Sequence, residues 1–258
     1  MPIVWVYKPI GWTPKDCVDE YRRQMKETRK IAFAGRLDPM AYGLIPLIIN
    51  DSQASVYSLQ ESHKTYQFKV ILGITTDTYD ILGLITNLES KILNMTELET
   101  LMNACSGITS QEYPPYSSKT VRDELSGKQV ALWKLAELGR LPKELPKHPV
   151  HIEHLKLLKT NIKTIDRIVV TIINRLASLL PSHNLRHDEI LATWLEQLSK
   201  FTEREFQVIT CEARVSSGTY IRGLGNLMGG TCYDIHRTQY GDKISDIRDK
   251  SNFAILLT

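Results

Sequence analysis

The chain has 258 residues, 42% of them hydrophobic and 24% charged, with a net charge of +3 at neutral pH. That composition suits a folded protein with a sizeable core and excludes a disordered or fibrous chain, while the mild positive charge permits nucleic-acid binding without demanding it. Cys17, Cys105, Cys211 and Cys232 form no close pair, which excludes a disulfide framework, and the most apolar stretch, 165–180, is interrupted by Asp166, Arg167, Asn174 and Arg175, which excludes a bilayer span.

In chain order, residues 3–6 read as a short strand ending at Lys8-Pro9-Ile10-Gly11. Thr13 then caps a helix with Pro14 in its first turn, where a missing N–H costs little. A segment from Lys30 leads into Gly35-Arg36-Leu37-Asp38-Pro39, and 44–49 returns as a buried strand. Residues 64–72 alternate cleanly, with Tyr66, Phe68, Val70 and Leu72 on one face. Thr75 to Asp80 is a polar loop before a further strand around 82–86. Thr96 and Glu99 predict a capping box for a helix ending near Gly107. Tyr113-Pro114-Pro115-Tyr116 breaks regular structure, and 121–140 reads as partly helical with an interruption at Gly127. Residues 152–159 and 206–215 are strand candidates. Between them lie two amphipathic helices, one lined by Ile168, Ile172 and Leu176 and the other by Ile190, Trp194 and Leu198, separated by Pro181 and Asn184. Strands and helices alternate without a steady βαβ rhythm, which predicts an α+β fold on a mixed or antiparallel sheet.

Basic residues gather at Arg22, Arg23, Lys26, Arg29 and Lys30, and again along 119–147. Phosphate binding uses such clusters, but composition alone favours solvated helix faces.

Three short segments carry chemistry. Pro39 restricts Asp38 to extended backbone, holding its carboxylate on a stiff turn between Gly35 and Gly43; in isolation an Asp-Pro turn is only a turn. Tyr66 shares the core face of its strand, yet a phenol at a strand end can stack on a base and offer a hydroxyl for proton transfer. Arg222, in Ser217-Gly218-Thr219-Tyr220-Ile221-Arg222-Gly223, opens a helix where the dipole disfavours a cation. That placement predicts a compensating anion, such as a carboxylate.

Lys8-Pro9-x-Gly11, Gly35-x-Leu37-Asp38-Pro39-x-Ala41-x-Gly43, Lys64-x-Tyr66, Thr76-Asp77-Thr78-x-Asp80-x-x-Gly83 and Ser217-Gly218-Thr219-Tyr220-Ile221-Arg222 occur in that order. Each is weak alone; together they resemble the conserved blocks of TruB-type pseudouridine synthases, which modify the T-arm uridine of transfer RNA. The resemblance implies an α+β pseudouridine synthase fold with an RNA-binding cleft across its sheet. It implies Asp38 as nucleophile, Tyr66 beside the target base, and Arg222 paired with the aspartate. Tyr220, Lys8, Lys64 and Ile235 become substrate-binding residues, with Ile235 matching a pocket leucine. The segment 116–140 corresponds to an RNA-gripping thumb. No cofactor or metal is implied, and the expected partner is RNA, chiefly tRNA. The chain is expected to be one soluble, cytoplasmic catalytic domain, monomeric, needing no obligatory protein partner and contacting no membrane.

Three departures stand out. Phe33 occupies a position that is usually histidine in the bacterial enzymes, the helical stretch 161–204 is expected to be an insertion, and the short stretch after Arg237 leads us to expect no C-terminal PUA domain. Two other readings compete. One is an RNA-binding or RNA-folding module that keeps the fold without turnover, against which the Asp38, Tyr66 and Arg222 set argues. The other is a metal site at His148, His151 and His154, whose spacing suits a helix while the sequence there reads as a strand.

Overall fold

Alternation along Lys64–Leu72 (β4) sends Tyr66, Phe68, Val70 and Leu72 into the core, all 7% exposed or less, while Gln67 faces solvent. The computed structural model describes residues 3–50, 59, 61–180, 185–201, 205–245 and 251–256. Before β4 come β1 (Ile3–Lys8), α1 (Pro14–Met25), β2 (Ile31–Phe33) and β3 (Ala41–Ile49). After it come β5 (Ile74–Thr76), β6 (Ile85–Leu88), α2 (Met95–Ser106), β7 (Ser110–Glu112), β8 (Thr120–Arg122), β9 (Gln129–Ala131) and α3 (Leu132–Glu137). The chain continues with β10 (Lys147–Pro149), β11 (Ile152–Thr164), α4 (Ile165–Ala177), α5 (His187–Lys200) and β12 (Glu205–Val215). It closes with α6 (Ile221–Leu227), β13 (Gly230–Tyr240), β14 (Lys243–Ile244) and β15 (Ala254–Leu256).

The central sheet runs β11-β12-β4-β13-β3-β1-β15, with β2 added to β3 and β14 to β13. Every pairing in it is antiparallel except β13 with β3. That parallel junction places Ile235 opposite Ala41 and Arg237 opposite Gly43, bringing β13 against the Asp38 turn. Separate strands and helices on a mixed sheet make this an α+β fold, as the residue pattern predicts.

Local chemistry explains the elements. Thr13 caps α1 and Asp16 reaches back to the Thr13 backbone, completing a capping box. The cap of α2 falls two residues earlier than the Thr96–Glu99 spacing predicts: Asn94 accepts from the Glu97 backbone, and Glu97 returns the bond. Asparagine caps as well as threonine does, so two overlapping boxes compete and the earlier one forms. The strand expected at 82–86 lies at Ile85–Leu88, because Ile81 and Leu82 are drawn into the core from a loop. The 121–140 segment is mostly a hairpin of β8 and β9 turning through Gly127, and only Leu132–Glu137 is helical.

Helices α4 and α5 pack on this chain. Ile168, Ile172, Ile190, Trp194 and Leu198 are all at most 1% exposed, and the Trp194 indole N–H donates to Gly83 O at 2.8 Å. Each such aliphatic side chain contributes about 1.5–3 kcal/mol by leaving water, enough together to hold the pair in place. Pro181 and Asn184 lie outside the described residues. No described helix is long and apolar enough to cross a membrane.

Candidate active site

Asp38 sits just past β2, on a turn closed by Ala41 N–H donating to Asp38 O at 3.0 Å. Glycines flank it for a steric reason. Gly35 has φ +64 and a Cβ there would meet the Tyr240 ring at 2.6 Å; Gly43 has φ +122 and a Cβ would meet Arg237 O at 2.2 Å. A side chain at either position would push the turn off β13.

From the N-terminus of α6, Arg222 Nε donates to Asp38 Oδ2 at 2.7 Å. The Arg222 side chain is 4% exposed and that of Asp38 41%, so a buried guanidinium holds a carboxylate that remains open to solvent. Its other nitrogens donate to Thr78 O and, at 3.2 Å, to Tyr116 O. Asp80 Oδ2 lies 3.6 Å from Arg222 Nε. Burial alone would lower the Arg222 pKa, and the Asp38 and Asp80 carboxylates more than reverse it. These anions answer the misplaced cation at a helix start.

Asp38, Tyr66, Lys64, Tyr220, Arg222 and Ile235 all line one open cleft of about 910 Å³. Tyr116 and Trp133, from the 116–140 segment, and Phe33 of β2 line the same space. Tyr66 is 7% exposed, and its hydroxyl accepts from Arg237 Nη1 at 3.5 Å. The Tyr220 backbone is pinned on both sides by Gln111, which accepts from its N–H at 2.8 Å and donates to its carbonyl at 2.9 Å. Burial, and next the Asp38 carboxylate, push the Tyr220 phenol up. Lys64 lies 4.7 Å from the Tyr240 ring centroid and 3.2 Å from Ser217 Oγ; burial and the nearby Arg237 charge pull its ammonium down to about 7.

Lys8 does not reach the cleft wall. It is fully buried, donating to Pro9 O at 3.0 Å and Ala41 O at 2.5 Å, with its pKa pulled down to about 7 by burial. It therefore braces the Asp38 turn from beneath, a correction to its expected place among the substrate contacts. The three histidines part company as well. His148 meets Gly218 O at 3.0 Å and packs on Tyr113, His151 faces His63, and His154 lies 3.5 Å from Glu212.

Arg237 escaped the sequence reading. It is 1% exposed and donates to Leu44 O at 2.7 Å, Gly35 O at 3.0 Å and Arg36 O at 3.2 Å, as well as to the Tyr66 hydroxyl. One guanidinium thus ties the approach to Asp38 to the ring of Tyr66. Its surroundings in the sequence, His236-Arg237-Thr238-Gln239, carry no hydrophobic period that would mark a core strand.

Asp80 is 4% exposed, and burial first, with Asp38 adding, pushes its carboxyl up to about 6 against the pull of Arg222. A folded pKa above the unfolded one gives stability that is complete below about pH 4 and lost as pH rises through about 6. Asp80→Asn keeps the Oδ1 acceptor used by Thr78 Oγ1 and Leu82 N–H. The variant is expected to gain about 1–3 kcal/mol at pH 8 and almost nothing at pH 4, measured by urea unfolding at both. An equal change at the two pH values would contradict this account.

A sequence model of the TruB family pseudouridylate synthase N-terminal domain matches residues 22–172, more than half of the chain. The match includes Asp38, Tyr66 and the 76–83 loop and ends before Tyr220 and Arg222. Among curated relatives, tRNA pseudouridine synthase B of Bacillus subtilis is 33% identical over 165 residues, covering 62% of this chain and 50% of that protein. The Thermotoga maritima protein of the same name is 34% identical over 166 residues, covering 64% and 50%. That of Ureaplasma urealyticum is 32% identical over 173 residues, covering 66% and 72%. The chain spans about half the length of most of these relatives. In fold it is similar to a chain of an H/ACA RNP bound to a substrate RNA containing 2′-deoxyuridine, and to one of a Cbf5-Nop10-Gar1 complex. Each has a TM-score of 0.50 and 14% identity, covering 94% and 93% of this chain and 49% and 50% of the other. On the family match and these identities, the chain belongs to the TruB family of pseudouridylate synthases.

Proposed function

We propose that this chain isomerises a uridine of RNA to pseudouridine, with the T-arm uridine of transfer RNA as its substrate and Asp38 as the acting carboxylate. The observation that carries the reading is the 2.7 Å pair between buried Arg222 and open Asp38 on the wall of a cleft shared with Tyr66 and Tyr220. Family membership and relatives named tRNA pseudouridine synthase B point to the same chemistry.

The reaction breaks the C1′–N1 bond, turns the uracil, and joins C5 to C1′; the C5 proton leaves and N1 gains one. The balance requires neither oxidant nor leaving group, so no cofactor is invoked. The uridine must leave its stack, at a cost of a few kcal/mol, which stacking and phosphate contacts offset. Arg222 takes Asp38 Oδ2, so Oδ1 is the oxygen left to act on the nucleotide. Tyr66 stacks on the uracil and its hydroxyl assists removal of the C5 proton, while Tyr220, Ile235 and Lys64 complete the wall. Residues 1–258 serve as one catalytic unit acting in the cytoplasm, with 116–140 as the thumb that closes over RNA.

The test follows from the bookkeeping of the C5 proton. A T-arm stem-loop carrying tritium at uridine C5 should release it to water on incubation with the purified chain, and the same RNA with cytidine at the target should not. Tight RNA binding without release, from T-arm RNA and from total cellular RNA, would favour the RNA-binding module. The solved neighbours include a Cbf5-Nop10-Gar1 complex, so release that requires added cell extract would overturn the reading that the chain acts alone.

A further inference from the structure

We propose that Arg186, from the inserted helical pair, is a positioning residue that holds Arg222, and through it Asp38, in working geometry; the proposal rests on the pseudouridine synthase reading above. Arg222 is oriented by three acceptors, Asp38, Thr78 O and Tyr116 O, with the Asp80 carboxylate a further countercharge 3.6 Å from its Nε. Neither backbone carbonyl belongs to a strand or helix, so something must fix the segments that carry them. Arg186 touches both. Its Nη1 donates to Asp77 Oδ2 at 2.8 Å, next in sequence to Thr78, and its guanidinium lies 4.6 Å from the Tyr116 ring centroid.

Asp77 is the clasp of its loop. Its N–H donates to Leu84 O at 3.0 Å while its Oδ1 accepts from Leu84 N–H at 2.8 Å, leaving Oδ2 for Arg186. The arginine is well chosen for the double task, because a planar guanidinium pairs with a carboxylate and lies over an aromatic face at once. Its own backbone is left-handed, at φ +54, and its side chain caps nothing in α5. A bulky residue keeps that conformation only when its surroundings over-determine it. Here the surroundings are the Asp77 ion pair and the docking of α5, whose Trp194 donates to Gly83 O and Gln197 to Ile85 O, on the far side of the same loop. The inserted helices thus brace the 76–83 loop from behind, and Arg186 passes that support to Tyr116 at the start of the proposed thumb. This gives the insertion a role in the site without any contact to substrate.

Two measurements test it on Arg186→Ala and Arg186→Lys. The first needs no turnover: the Arg222 Nε–H, bonded to Asp38, is followed by nitrogen-15 NMR on the RNA-free protein, assigned with Arg222→Lys. Its exchange with water should speed by tenfold or more in Arg186→Ala and by less in Arg186→Lys, which keeps the charge on Asp77. The second is tritium release, where kcat should fall by tenfold or more in Arg186→Ala with KM within twofold, and Arg186→Lys should recover part of it. A purely structural arginine would lower thermal stability while leaving kcat of the folded fraction intact. Unchanged exchange overturns the proposal, as does faster exchange with unchanged kcat. If the wild type releases no tritium, the reading of the site as a synthase fails on its own, and the exchange measurement still decides whether Arg186 holds Arg222. Should Arg186→Ala fail to fold, Asp77→Asn serves in its place, since it weakens the same ion pair while leaving Oδ1 to accept from Leu84.

Discussion

Asp38→Asn is expected to lower tritium release by at least about 10³-fold while leaving the protein folded and bound to RNA. The amide keeps an oxygen that can accept from Arg222 Nε, so the 2.7 Å contact survives with its charge component removed. What disappears is the negative oxygen available to the sugar or the base. Folding should be little affected, because the Asp38 side chain is 41% exposed and its partner keeps Asp80, Thr78 O and Tyr116 O. RNA affinity should hold or rise slightly, since removing an anion from a cleft proposed to receive RNA relieves repulsion with that polyanion. Filter binding and tritium release on the same preparation separate the effects. Turnover within tenfold of wild type would remove Asp38 from the chemistry, and a parallel loss of RNA binding would place it in recognition instead.

How far the site was legible follows from the kind of signal each residue leaves. Asp38 and Arg222 stand 184 positions apart, yet each lies in a short block whose order and spacing could be matched, and one electrostatic argument linked them. A cation at a helix start needs an anion, and two carboxylates meet it. The strand of Tyr66 was read to the residue because period-two alternation is a strong local signal. What failed was non-local. β13 lies in the middle of the sheet, but its sequence alternates Asp234, His236 and Thr238 with Ile235 and Arg237, and no apolar run announces it. Its polar residues are buried by partners distant in sequence: Arg175 of α4 donates to Asp234 at 2.7 Å, and Arg237 is consumed by four acceptors around Asp38 and Tyr66. A buried charge cannot be told from a surface one until its partner is in place. Lys8 shows the reverse error. A lysine in a matched block reads as a ligand contact, whereas its burial turns the ammonium into a strut between the carbonyls of Pro9 and Ala41.

The most severe loss is expected from Arg222→Leu, and its two components can be separated. Arg222 is 3% exposed and Asp80 4%, so removing the guanidinium leaves a buried carboxylate without a countercharge. Breaking such a pair costs about 3–5 kcal/mol. Because burial already pushes the Asp80 carboxyl up to about 6, it can escape by taking a proton, and the stability deficit should be smaller at pH 5 than at pH 8. Adding Asp80→Asn to Arg222→Leu removes the orphaned charge and should restore most of the stability at pH 8. Turnover should not return, because nothing then fixes Asp38 Oδ2. Arg222→Lys makes the same point from the other side. It retains one positive charge, but a single ammonium cannot reach Asp38, Thr78 O and Tyr116 O from the directions that the forked guanidinium spans. A displacement of the carboxylate by about 1 Å is enough to cost roughly 10²-fold in rate. Urea unfolding at the two pH values with tritium release on each variant completes the set. If the Leu–Asn double variant recovers turnover along with stability, Arg222 is structural only, and Asp38 is positioned by something else.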